Sequence, residues 1–196
     1  MMPLIPQQQP QQTAPAAPGP QAKLNASSPD KLKQDFAQYV SKATTMINSP
    51  QTRAQTLTML KGSDPCKQVS QAAVIVMQQV DALSRRANIE VRDDIKFVAT
   101  YVIIEQLAQM ASAAGLYKLD KDYCLLAMSM AVQNYIKAEV AAHRVDAKQV
   151  AVQMQIAQRE MPPEQKKAMA DATRRMPEIA KRYQKDLRAG KFRGGA

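Results

Sequence analysis

Between residues 29 and 142, apolar side chains recur at intervals of three and four, the period that lines one face of an α-helix. Leu32, Phe36, Val40, Ala43 and Ile47 form one stripe, and Leu57 with Leu60 belongs to a short second helix. A third stripe takes Val69, Ala73, Val76, Val80 and Leu83, and a fourth takes Ile95, Val98, Val102, Leu107 and Met110. The fifth opens after Leu119-Asp120 and carries Cys124, Ala127, Met128, Ala131, Tyr135 and Ala138. Asp146, with Gln149 three positions on, has the form of a capping box that opens a sixth helix through Val150, Met154 and Ala157. Only Ile89-Glu90-Val91 alternates, over too few residues for a strand.

The punctuation agrees with the period. Ser28-Pro29, Ser49-Pro50 and Asp64-Pro65 each place Pro at a first helical position, where its missing N–H has no partner to lose, behind a side chain able to cap. Pro162-Pro163 and Pro177 predict the starts of two further short helices. Gly62, Gly115 and Gly190 each follow a helical stretch and are expected to end it in the left-handed region. The predicted fold class is all-α: an antiparallel helical bundle over 29–144 with short connections. An extended Pro/Gln-rich arm over 1–28 precedes it, and a basic helical segment and tail over 145–196, more polar than the bundle, follow.

Composition sharpens this picture at both ends. Seven of the twelve prolines fall within 3–29, interleaved with Gln, and residues 1–22 carry no charged side chain. Such a segment has too little apolar surface to offset the entropy of ordering it. Within it Pro3-Leu4-Ile5-Pro6 reads either as a docking peptide, with Leu4 and Ile5 as protein contacts, or as an inert tether. With six Tyr, three Phe and no Trp, the core must be built from Ala, Val, Ile, Leu and Met. Met77, Met110, Met128 and Met154 fall on the stripes. Met46, Met59, Met130, Met169 and Met176 remain as candidates for an adaptable contact surface, with Met130, Met169 and Met176 the favoured protein contacts.

Catalytic chemistry finds few residues to use. His143 is the only imidazole and lies near the end of the fifth helix, where the dipole favours it; a triad would need an orienting acid and an activated nucleophile beside it. Asp120-Lys121-Asp122 starts like a calcium loop, but Leu125 and Ala131 stand where Gly and Glu are required, so it reads as a helix cap. Asp93-Asp94 precedes Ile95 in a first turn, a favoured place for acids. Cys66 and Cys124 have no Cys-x-x-Cys partner and are expected as two buried, reduced thiols. No Gly-rich phosphate loop occurs. No catalytic, cofactor or metal residues are therefore assigned and no small-molecule substrate is expected. Polar residues interrupt the apolar runs Ala72–Val76 and Val98–Ile104 well short of the roughly 20 residues of a membrane span. The N-terminus also lacks the basic-then-apolar pattern of a secretory signal.

Charge supplies the best functional signal. The formal net charge is +10, and Glu164 to Ala196 holds ten basic residues against four acids. Arg174, Arg175, Lys181, Arg182, Lys185 and Arg188 recur at helical spacing, and Lys191-Phe192-Arg193 sets an aromatic between two bases. These nine residues are candidate contacts to a nucleic acid or other polyanion, of a salt-dependent and sequence-blind kind; the competing reading is a solvated helix that keeps a basic chain soluble. No helix-turn-helix pair is evident. The uncharged arm Pro3–Pro29, the helical middle and the basic end Arg174–Arg193 resemble, in layout, small accessory virion proteins of tailed bacteriophages. The resemblance implies a non-enzymatic structural protein, head-internal, ejection-related or near the portal and neck. It would be a homo-oligomer in contact with other virion proteins, located in a virion assembled in the host cytoplasm. The alternative is a cytoplasmic accessory protein that binds nucleic acid without sequence preference through its basic end.

Overall fold

The computed structural model describes residues 28–89, 91–144 and 163–192, and the single positions 146, 148, 152 and 159. These residues form six helices: α1 (Pro29–Asn48), α2 (Pro50–Leu60), α3 (Pro65–Arg86), α4 (Asp93–Ala113), α5 (Lys121–Ala141) and α6 (Pro163–Arg188). No strand occurs among them, so the chain is all-α over this part. The arm with Leu4 and Ile5, most of the expected helix after Asp146 (Gln149, Val150, Met154 and Ala157), Pro162 and Arg193 lie outside the described residues.

The helices begin where side chains can accept their unpaired N–H groups. Ser28 accepts from the Lys31 amide at 3.3 Å, Asp64 from Lys67 at 3.1 Å and Asp120 from Tyr123 at 2.8 Å. Ser49 occupies the capping position of α2 but makes no capping bond; its hydroxyl meets that of Thr52 at 3.2 Å, and the Thr52 hydroxyl turns back to the Met46 carbonyl. Asp93 and Asp94 fall in the first turn of α4 as expected, tied to Lys96 and Arg92.

Four helices end alike. After α3, α4, α5 and α6 the second residue past the last turn is left-handed, and two amides bond back over the last turn in the Schellman pattern. Gly115 and Gly190 are the expected residues there, but Asn88 and His143 adopt φ 53° without being Gly. Gly62 is a correction: it is not left-handed. α2 instead ends in extended backbone at Lys61, and a side chain at Gly62 would run into Gln68 at 2.5 Å.

Pro177 brings a second correction. It does not start a helix but sits on an exposed face inside the 26-residue α6. Its missing N–H removes one bond, to the Thr173 carbonyl, and Ile179 and Tyr183, in the half that follows, are buried.

Packing selects the core from the stripes. α3 makes its largest contact with α5, α1 packs on α4 and α3, and α4 packs on both α3 and α5. Tyr39, Ala43 and Ile47 of α1, Val69, Ala73, Val76, Met77 and Val80 of α3, and Cys124, Ala127, Ala131 and Tyr135 of α5 are buried together. The fourth stripe is corrected in part: Ile95, Leu107 and Met110 are buried as expected. Val98 is 60% exposed and Val102 half-buried, whereas Ala99, Ile103, Ile104 and Leu107 face inward. Phe97 to Ile104 is apolar almost without interruption, so spacing could not say which side turns in. Leu83 is likewise exposed.

Candidate functional site

The C-terminal half of α6 is docked where α3 and α5 begin. Tyr183 is buried; its hydroxyl accepts the Cys66 amide at 2.9 Å and donates to Asp64 Oδ1 at 2.6 Å. Tyr123, in the first turn of α5, repeats the arrangement: its hydroxyl accepts from Arg182 Nε at 3.2 Å and donates to Asp186 at 2.6 Å. Burial, and then the carboxylate each hydroxyl faces, raise both phenols above their ordinary value. Phe192 closes the group, its ring 5.6 Å from Tyr123 and 5.4 Å from Tyr183, and the two tyrosines meet edge-on at 5.2 Å. Lys191 Nζ binds Asp186 at 2.6 Å; with the Tyr123 hydroxyl it holds that carboxyl below the usual range.

This docking sorts the cations of the basic segment into two rows. Arg175 reaches Asp122 at 2.7 Å, and Arg182 reaches Asp120 at 3.1 Å and Asp122 at 3.0 Å with its guanidinium 4.8 Å from the Tyr123 ring. These two are turned to the acidic start of α5. Lys167, Arg174, Lys181 and Arg188 follow one another at seven-residue steps, each turned by only about 20° from the last on a helix of 3.6 residues per turn. Lys185 lies beside them, and all five are exposed on the side opposite Ile179 and Tyr183. Arg174 is 83% exposed, and its one acidic contact is Asp171 at 3.2 Å, a surface pair of small weight. Glu178 shares this face. Of the sequence candidates, then, Arg174, Lys181, Lys185 and Arg188 are together on one outward face; Arg175, Arg182 and Lys191 are paired with acids. Phe192, expected as a ring offered beside the cations, is half-buried and packs among Tyr123 and Tyr183.

The candidate contact methionines divide too. Met46, Met59 and Met130 lean against the core, Met176 is half-buried, and Met169 is exposed near the start of α6.

Two features went unseen in the sequence. The first is a buried carboxylate at the centre of the core: Asp81, 3% exposed, accepts from the Tyr39 hydroxyl at 3.2 Å and from the Tyr135 hydroxyl. Lys96 Nζ stands 3.7 Å away, 6.0 Å from the Tyr135 ring. One side chain of α3 thus joins α1, α4 and α5. Beside it Glu139, also buried, is gripped in fork geometry by Arg144 at 2.8 and 2.9 Å, which holds its carboxyl below the usual range. Burial and Asp81 push both phenols up, so the cluster holds neutral hydroxyls on a carboxylate. A single acid after Val80, 54 residues before Tyr135, gives no hint of it in the sequence.

The second is a cleft of about 530 Å³ walled by Lys61, Asp64, Lys67, Gln68, Tyr117 and Phe192, among others. The Tyr117 hydroxyl is buried without a hydrogen-bond partner among the described residues. Asp64 is already committed to the Lys67 amide and Tyr183, and no imidazole or thiol is in the wall. His143 stands exposed at the end of α5. Cys66 and Cys124 are free and buried, and burial pushes their thiols up to about 12 and about 11. Among the described residues no group of three or more His, Cys, Asp or Glu is placed to hold a metal ion, and no helix is long and apolar enough to cross a membrane.

Comparison with protein-family models, with curated proteins and with solved structures finds no match.

Proposed function

We propose that this chain is a non-enzymatic structural and assembly protein that turns the outer face of α6 toward a polyanion. Its helices form an antiparallel bundle with an extended Pro/Gln arm. It works as a homo-oligomer in a virion of the tailed-bacteriophage type, near packaged DNA or the portal and neck. The observation that carries the reading is the division of the α6 cations: Arg175 and Arg182 are spent on holding the helix, while Lys167, Arg174, Lys181, Lys185 and Arg188 are left outward in a row. A helix kept only for solubility has no need of an anchored inner face and an outer one on which five cations outnumber two acids, Asp171 and Glu178. The arm and the exposed Met169 supply contacts for neighbouring copies in this reading.

The test combines light scattering with DNA-binding titrations of the full-length protein at about 100 mM salt, where a face of several cations still holds DNA. An oligomer that binds DNA more weakly as salt rises supports the reading; a strict monomer that binds no DNA overturns it. The same row of cations also serves the second reading, a cytoplasmic accessory protein that coats nucleic acid. A monomer at every concentration that nevertheless binds DNA favours that one.

A further inference from the structure

Resting on the reading of α6 as a polyanion face, we infer that its ligand is double-stranded nucleic acid, held by its phosphate backbone with no contact to the bases. Three observations point there. The outward cations run from Lys167 to Arg188, about 31 Å at 1.5 Å per residue, close to one turn of duplex. The C-terminal part of the row is also pre-spaced: Tyr183 bonded to Asp64, and Arg182 to Asp120 and Asp122, fix the half of α6 that carries Lys181, Lys185 and Arg188, so these cations need little ordering to meet a regular array of charges. A single strand, whose phosphates have no fixed spacing, gains nothing from such a ruler.

The third observation is the place of the rings. Single-strand binders combine basic grooves with aromatic platforms on which bases stack. The aromatics near the row, Tyr123, Tyr183 and Phe192, are packed against one another on the inner side of α6, Tyr123 edge-on to the other two, and the described residues of its outer face include none. That face offers little to read base edges: between Lys167 and Arg188 its polar side chains are Lys, Arg, Asp171 and Glu178, with a single amide, the exposed Gln184, at the edge of the row, too little to specify a sequence. What remains is attraction to phosphate alone.

The experiment is fluorescence anisotropy of the full-length protein with a labelled duplex of about 20 base pairs, two turns, and with one strand of the same sequence. For five phosphate contacts the logarithm of affinity falls against the logarithm of salt with a slope of about −4 to −5. The duplex is expected to bind at least about tenfold tighter than the strand. The variant Lys167→Gln, Arg174→Gln, Lys181→Gln, Arg188→Gln changes exposed positions only and flattens the slope by about four. A charge-matched control on other surfaces, Lys31→Gln, Lys33→Gln, Arg85→Gln, Arg86→Gln, leaves the slope within about one unit of the parent. Equal or tighter binding of the strand overturns the duplex assignment and spares the polyanion reading. Equal losses in variant and control place the contact elsewhere and overturn both. No binding to either DNA, or binding only to phosphatidylserine vesicles, overturns the underlying reading itself.

Discussion

At the residue scale the molecule is governed by buried polar atoms that have found partners. Asp81 receives two phenol hydroxyls and lies beside Lys96, so each partner's desolvation is offset by the others. Truncating it strands the Tyr135 hydroxyl, leaves Tyr39 only the Met77 carbonyl at 3.4 Å and takes from Lys96 one of its two carboxylates: Asp81→Ala is expected to cost about 3–5 kcal/mol, and Tyr135→Phe, which removes one donor, about 1–2 kcal/mol. Urea titrations decide it, and equal costs would mean that Asp81 is not the hub. His143 is the opposite case. Its backbone is left-handed at φ 53°, a conformation that disfavours a side chain and suits Gly. His143→Gly is expected to raise stability by about 0.5–1 kcal/mol and to leave the proposed DNA binding unchanged. A loss of binding would return the imidazole to the list of functional groups. The thiols give a third reading: raised by burial, Cys66 and Cys124 are expected to react with a disulfide reagent only as fast as the protein opens, and prompt labelling of the native protein would contradict their placement.

At the scale of the element, α6 is held by its far end and interrupted in its middle. Tyr183→Phe removes the bond to Asp64 and the acceptor of the Cys66 amide, and is expected to cost about 1–2 kcal/mol. Hydrogen exchange should rise first in 179–190, because that segment is the one released. Pro177→Ala restores an amide inside the helix and is expected to stabilise it by about 1–3 kcal/mol. If Pro177→Ala instead destabilised the protein, the helix would not be continuous through that position. The same helix marks the limit of reading elements from sequence. The starts of α1, α3 and α5 were legible because Ser28, Asp64 and Asp120 act on amides three residues away, a local matter. The continuity of α6 through Pro177 was not, because contacts on both sides of it, Arg175 to Asp122 and Tyr183 to Asp64, are made with residues more than fifty positions earlier. Left-handed Asn88 and His143 were missed for a like reason: the Schellman bonds that hold them do not require Gly, and only Gly announces them in a sequence.

At the scale of the whole molecule, what matters is where charge ends up. Its excess at the C-terminal end was legible as counts, but the split into an anchored and an outward row was not, since Asp120 and Asp122 stand about sixty residues from Arg182. Those pairings also set how stability responds to pH. Glu139, gripped by Arg144, and Asp186, gripped by Lys191 and Tyr123, have carboxyls held below their ordinary range. The unfolded chain therefore takes up protons on these groups before the folded one does. Their contribution is complete above the ordinary carboxylate values near 4 and is lost as pH falls through the lower folded values. Tyr39, Tyr135 and Tyr183 act in the other direction. Their phenols are raised, chiefly by burial, so their contribution is complete below about 10 and fades above it, where the unfolded chain ionises first. Urea midpoints should accordingly be flat from about pH 5 to 9 and fall on both sides. Protonation also adds positive charge to a chain already at +10, which steepens the acid limb through self-repulsion. Glu139→Gln keeps an acceptor for Arg144 but removes the titration, so it is expected to lower the plateau and flatten the acid limb together. An acid limb that keeps its slope in Glu139→Gln and in Asp186→Asn would mean that general repulsion, and not these two held carboxylates, unfolds the protein in acid.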